Sequence, residues 1–290
     1  MTDQVDKELL LSKHQGLGND FLVLLDMTGT VDLDQSEIVA LLDRHLGVGA
    51  DGLMHVTPAD ADSPSVARMV LYNSDGSRAE MSGNGIRCLA QALIDAGGAP
   101  LGSFSIDTDA GVMEIESHSA FGEAVAAISV GIGTPKIFES DVRTIDGIEY
   151  QAVRVDIGNP HLVLIPTQVM DAGRFNSLDL ATLGPKIESQ YPGGMNIEWI
   201  VPDRNRSEMM LRVWERGAGI TQACGTGSTA SSFVANDLGL VDDTVVVHNP
   251  GGDLTVRIAG GTCYLTGPAQ KVCEIQVTSS QLKAMAALVK

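Results

Sequence analysis

Two short stretches set a side chain able to exchange or hydrogen-bond a proton directly before a Gly-x-Gly turn. Residues 222–230 read QACGTGSTA and residues 80–88 read EMSGNGIRC, with Cys224 and Ser82 in the leading position. A helix start exposes unpaired N–H groups and a partial positive charge. Such a terminus binds a carboxylate and favours thiolate over thiol, and glycine lets the backbone approach a ligand closely. Two such turns gripping one small carboxylate would put Cys224 and Ser82 on opposite faces of its α-carbon. One side chain would take the α-proton, the helix ends would stabilise the developing charge, and the other would return a proton and invert the centre. A thiol, with an ordinary pKa of about 8.5, can be drawn toward neutrality for this work. A hydroxyl is a far weaker acid. Ser82 therefore reads in two ways: as a working proton carrier, or as a helix N-cap or substrate hydrogen-bonding group. Cys224 has its own plain alternative, a small buried residue. No GxxxxGK[ST] loop and no HExxH motif occurs, so the expectation is chemistry without cofactor or metal.

The elements that hold these turns repeat. Cys224 and Ser82 lie 142 positions apart, Tyr72 and Trp214 in strand-like runs lie 142 apart, and Asn19 and Asn159 lie 140 apart. A period this long is not a solenoid. It predicts two homologous halves facing each other across a cleft, 1–130 and 131–272, with 273–290 packing back on the first and a linker near 131–136. Strand patterns occupy 20–25, 66–72, 123–130, 150–156, 195–201, 208–214, 244–248, 253–258, 262–266 and 270–277. Helical patterns occupy 35–45, 84–96, 177–189, 226–238 and 279–289. Many short strands with one prominent helix after each Gly-x-Gly turn read as α+β. The expected architecture is two pseudo-symmetric domains, each a sheet wrapped around a central helix.

Composition narrows the setting. The 290 residues carry a formal net charge of −18 with a pI near 4.5, so nucleic acid and anionic membrane surfaces would be repelled. No apolar stretch reaches the roughly 18 residues of a membrane helix. The start, MTDQVDKELL, lacks the basic and apolar regions of a signal peptide. Cys88, Cys224, Cys263 and Cys273 show neither metal spacing nor disulfide density, which points to a cytoplasmic protein. Cys88, Cys263 and Cys273 read as packing residues.

The motifs GLGNDF (16–21), RHLGVGADGL (44–53), YNSDGSRAEMSGNGIRC (72–88), GNPH (158–161), MNIEW (195–199) and ERGAGITQACGTG (215–227) together resemble the diaminopimelate epimerase family, in order, from about residue 12 to residue 270. The resemblance implies a pyridoxal-independent isomerase, commonly a homodimer, that interconverts LL- and meso-diaminopimelate in the supply of lysine and peptidoglycan precursors. It implies that Cys224 is one of two catalytic proton carriers and that the family's other cysteine falls on Ser82. It further implies that Asn19, Asn73, Asn159 and Asn196 hold the substrate's polar groups. Arg216 would pair with the distal carboxylate, Gly83, Asn84, Gly225 and Thr226 would form the two carboxylate cradles, and His161 and Glu215 would bind near the thiols and tune them. Two positions depart from the family: Ser82, and Gln15 where a histidine is usual, with His14 one place earlier. Two other readings stay open, a one-base racemase or dehydratase acting on another amino acid and a non-catalytic diaminopimelate-binding homologue.

Overall fold

The structure, a computed structural model, describes residues 7–119 and 125–289. The first two residues of the expected strand 123–130, and most of the N-terminal stretch read for a leader, lie outside the described residues. The chain divides into two compact units, one made of residues up to Val130 together with Pro268 onward, the other of Gly131–Gly267.

The first unit runs β1 (Glu8–Gly16), β2 (Asn19–Leu25), α1 (Gln35–Leu42), β3 (Gly52–Thr57), β4 (Ala67–Asn73), β5 (Arg78–Ala79), α2 (Gly83–Asp95), β6 (Ser103–Thr108), β7 (Gly111–Ser117) and β8 (Val125–Gly133). The second runs β9 (Lys136–Ile145), β10 (Ile148–Asp156), β11 (Pro160–Pro166), α3 (Ala172–Asn176), α4 (Leu180–Glu188), β12 (Asn196–Pro202), β13 (Glu208–Glu215), β14 (Gly219–Ile220), α5 (Gly225–Asp237), β15 (Thr244–Asn249) and β16 (Gly252–Ala259). Strand β17 (Thr262–Thr278) carries the chain back into the first unit, where α6 (Ser279–Ala286) follows.

Pairing is the same in both units. β2 and β3 are parallel and joined by α1; β11 and β12 are parallel and joined by α3 and α4. β4 and β6 are parallel and joined through α2; β13 and β15 are parallel and joined through α5. A parallel pair needs a crossover, and a helix supplies it. The remaining neighbours, β1 with β2, β3 with β4 and β6 with β7, are antiparallel, as are β10 with β11, β12 with β13 and β15 with β16.

The crossover helices α2 and α5 are the central ones. Every residue of α2 from Gly83 to Ile94 is buried. A helix covered on all sides belongs to the core rather than to an amphipathic surface. Helix α5 is rich in glycine, serine and alanine, and two of its buried hydroxyls turn back on the helix. Thr229 Oγ1 donates to the Gly225 carbonyl at 2.9 Å and Ser232 Oγ to the Ser228 carbonyl at 2.8 Å, which satisfies these groups away from water; Ser228 Oγ instead reaches Asn249 at 3.3 Å, and Ser231 Oγ is buried without a partner. On the outer side of the first unit, Leu22, Leu24, Leu53, Ile38, Leu41 and Leu282 form a second apolar cluster between the sheet and α1 and α6. In the second unit Trp199, Leu164, Phe175, Leu180 and Leu183 do the same beneath α3 and α4.

The helix expected at 177–189 is α4, capped by Asp179, and a shorter helix, α3, capped by Asp171, precedes it; each cap accepts from a backbone N–H three residues on. Two sequence expectations change. The strands at 262–266 and 270–277 are one, β17, running through Gly267–Pro268. The linker expected at 131–136 is mostly strand, with β8 ending at Gly133 and β9 starting at Lys136.

Candidate active site

Ser82 and Cys224 are the N-caps of the two central helices, each 13 residues long. Their backbones match: φ −133°, ψ 124° at Ser82 and φ −120°, ψ 114° at Cys224. Each side chain accepts from the N–H three residues on, Ser82 Oγ from Gly85 at 3.1 Å and Cys224 Sγ from Gly227 at 3.3 Å. The two turns are thus the same device built twice.

In the first unit, the structure groups Asn19, Asn84 and Gly83 with Ser82. Asn84 Nδ2 donates to Asn19 Oδ1 at 3.3 Å, and Arg87 donates to Asn84 Oδ1 at 2.7 Å and to the Gly83 carbonyl at 2.9 Å. Arg87 is fully buried, and burial pulls its guanidinium down to about 10. Asn19 is held from behind. Its Nδ2 donates to Asp51 Oδ2 at 2.6 Å, and Arg44 bridges Asp51 at 2.7 Å and Asp20 at 2.6 and 3.1 Å. Burial pushes the Asp20 carboxyl up, but hydrogen bonds from Arg44 and Lys13 outweigh it and leave it at about 2. Arg44 and Asp51 lie in the motif at 44–53, yet no role for them was read from sequence. Asn73 is exposed and donates to Ser77 Oγ at 3.1 Å across the turn between β4 and β5.

His14 and Gln15 point to opposite sides of β1, as strand alternation requires. His14 is buried beside Gln91 and Ser12, and burial lowers it to about 4. Gln15 instead accepts from Gly18 N–H at 3.0 Å and donates to Gln270 at 2.7 Å, bracing the turn before Asn19.

In the second unit, the structure brings Asn159, His161, Asn196, Glu215 and Cys224 onto the adjoining ends of β11, β12, β13 and α5. His161 is buried, with Nδ1 2.7 Å from Glu198 Oε1 and Nε2 2.9 Å from Asn159 Oδ1. Asn196 donates to the Pro160 carbonyl at 3.0 Å and accepts from Arg216 N–H at 2.9 Å, tying three strand ends together. The Arg216 stem lies against Gly194, where a Cβ would come within 2.6 Å of it, and its guanidinium reaches the Gly193 carbonyl at 3.2 Å. Gly194 also has φ +80°, so glycine is required there twice over. Glu215 accepts from Thr221 Oγ1 and bonds to Cys224. Thr226 Oγ1 lies 3.5 Å from Cys224 Sγ.

The thiol does not sit where the helix start alone would put it. Burial, then the charges of Glu215 and Glu198, raise Cys224 well above the ordinary thiol value, against smaller opposing bonds from Thr226 and the Gly227 N–H. The expected lowering by the helix terminus is outweighed, because desolvation and two nearby carboxylates both disfavour the thiolate. Burial also raises Glu215, with hydrogen bonds from Thr221 and Cys224 pulling the other way.

Among the remaining cysteines, Cys88 and Cys263 are buried and pushed up to about 12 by burial. Cys273 is exposed on β17, which corrects its reading as a packing residue. Glu198, fully buried beside Cys224, is the acidic residue that sequence reading passed over although its motif was quoted.

The twice-repeated α+β fold is shared with solved structures of low sequence identity. The chain is similar to the Bacillus anthracis phenazine biosynthesis protein of the PhzF family (TM-score 0.71, 17% identity, covering 93% of this chain and 99% of that one). It is equally similar to a probable proline racemase from Agrobacterium radiobacter (TM-score 0.71, 14% identity, 96% and 95%). Sequence narrows this further. The family model for diaminopimelate epimerase matches residues 11–138 and 153–272. The diaminopimelate epimerase of Desulfitobacterium hafniense is 38% identical over 279 residues, covering 90% of this chain and 95% of that protein. That of Rippkaea orientalis is 37% identical over 283 residues, covering 90% and 96%. The chain belongs to the diaminopimelate epimerase family, whose members are isomerases.

Proposed function

We propose that this protein interconverts LL- and meso-2,6-diaminopimelate by moving the α-proton without pyridoxal phosphate. The observation that carries the reading is the pair of matched N-caps, one thiol and one hydroxyl, on helix termini whose N–H groups favour a carboxylate. In this reading Cys224 and Ser82 address opposite faces of the α-carbon. Gly83 and Asn84, and Gly225 and Thr226, receive the substrate's carboxylate. Asn19, Asn73, Asn159 and Asn196 take its polar groups, and the exposed Arg216 fork takes the distal carboxylate. Glu215 and His161 tune Cys224; the raised thiol suits a group that delivers a proton and must be helped to lose one. The lysine and peptidoglycan-precursor role, a homodimeric state and a cytoplasmic setting come with the family resemblance. Among the described residues no helix is long and apolar enough to cross a membrane.

The test is turnover of LL-diaminopimelate followed by chiral separation of the product, with proline and hydroxyproline as competing substrates. Meso product from diaminopimelate alone is the expected result. Racemised proline with unchanged diaminopimelate would replace this reading with a racemase of another amino acid.

A further inference from the structure

Glu198 is an acid with no role in the reading above. It lies on β12, fully buried. Its Oε1 accepts from His161 Nδ1 at 2.7 Å, while its Oε2 is buried without a hydrogen-bond partner. The carboxylate also crowds the Cys224 turn. A Cβ placed on Gly227 would lie 2.7 Å from Glu198 Oε1 and 3.2 Å from Cys224 Sγ. Acid and thiol therefore flank the same glycine.

A carboxyl group held this deep is costly unless it is paired, and a half-satisfied one more so. An apolar side chain of similar size would fill the space without that cost. What Glu198 adds is direction. A carboxylate only accepts, so the ring nitrogen facing it must carry the hydrogen. That fixes which tautomer His161 holds, and a buried acceptor behind a histidine is the usual means of doing so. Nε2 is then an acceptor, so Asn159, whose side-chain amide stands 2.9 Å away, must present its NH2 rather than its oxygen to the ring. The chain of contacts runs from β12 through the imidazole to an amide expected to touch substrate.

We propose that Glu198 is the positioning residue of the Cys224 half-site, clamping the His161 imidazole in one tautomer and, through it, the Asn159 side chain. The proposal rests on the functional reading for its catalytic consequence, not for its geometry.

The experiment compares wild type, Glu198→Gln and Glu198→Asp by nitrogen-15 spectra of the His161 ring and by kinetics with LL-diaminopimelate. In wild type, Nδ1 carries the hydrogen and gives one set of ring signals. In Glu198→Gln the amide can donate as well as accept, so the single Nδ1–H signature is lost. kcat/KM falls by about 10- to 100-fold, by analogy with removing the acceptor behind a metal-binding histidine. Glu198→Asp recovers the wild-type signature and part of the activity. A Gln variant with the wild-type ring spectrum overturns the proposal, as does one with wild-type kcat/KM in an active enzyme. So does loss of activity in both variants with the ring spectrum unchanged, which would mark Glu198 as a packing residue only. Should Glu198→Gln fail to fold, Glu198→Leu, of similar size and with no acceptor, must lose the single Nδ1–H signature, and its retention overturns the proposal. If wild type makes no meso product, the functional reading fails, while the ring spectra still decide what Glu198 does.

Discussion

Helices α2 and α5 start alike and are served differently. Both begin at an extended cap residue whose side chain accepts from the N–H three places on. Beneath the Ser82 turn lie a buried guanidinium and neutral amides, Arg87, Asn84 and Asn19. Around the Cys224 turn lie two carboxylates and an imidazole, Glu215, Glu198 and His161. The position of Arg87, whose Nη1 donates to the Gly83 carbonyl, is taken in α5 by Thr229, whose hydroxyl donates to the Gly225 carbonyl. The backbone repeat gives the two turns one geometry, and the side chains around them give each its own electrostatic setting, a buried cation beneath Ser82 and carboxylates beside Cys224.

This comparison can be broken at either turn. The largest effect is expected from Cys224→Ala, which removes the thiol and should lower kcat by about a thousandfold, within the range for losing a general acid–base group. Steady-state kinetics on LL-diaminopimelate checks it, and a loss below tenfold would mean the second unit does not carry the proton chemistry. Ser82→Cys restores a far stronger acid at the mirrored cap and should raise kcat by about a hundredfold. An unchanged rate would show that the proton on that side comes from elsewhere.

The mirrored glycines separate packing from chemistry. At Gly227 a Cβ would meet Glu198 at 2.7 Å; at Gly85 the nearest atoms are Ser82 Cβ at 3.2 Å and the Phe21 ring at 3.4 Å. Alanine gains roughly 1 kcal/mol of helix propensity at either site, and overpacking costs about 1–3 kcal/mol. Gly227→Ala should therefore be less stable than Gly85→Ala by about 2 kcal/mol in urea unfolding. Equal stabilities would mean that Glu198 yields easily and does not press on the turn. The smallest effect is in thiol reactivity. Because burial and two carboxylates raise Cys224, its thiolate fraction keeps climbing with pH. Alkylation at Cys224, read by peptide mapping in the absence of substrate, should rise about tenfold per pH unit through pH 8 without a plateau. A plateau by pH 8 would put the helix terminus in charge after all.

Much of this was legible in the sequence, because the repeat lies in glycine-bearing turns and those turns start the central helices. The matched caps, the central helices and the α+β class follow from QACGTGSTA, EMSGNGIRC and the apolar patterns that continue them. Strand β11 (PHLVLIP) escaped because it is buried along most of its length and shows no alternation. Strand β9 (KIFESDVRTI) escaped because most of it is exposed and mixes charge with apolar residues. Glu198 escaped for another reason. An acidic residue in a strand reads as surface, and only the approach of α5 to β12 shows it buried beside the thiol. The raised thiol has the same origin, since burial and charges contributed by other strands are tertiary facts.

The most direct test of two unlike caps acting on two faces is the fate of solvent deuterium early in the reaction. LL-diaminopimelate is incubated with the protein in deuterium oxide, and substrate and meso product are analysed separately. The account predicts meso product carrying one deuterium at the inverted carbon while recovered LL-substrate stays largely unlabelled, as expected when one group removes the proton and another returns a solvent-derived one. Deuterium accumulating in LL-substrate without meso product would contradict it, leaving Cys224 as a lone base and Ser82 as a helix cap.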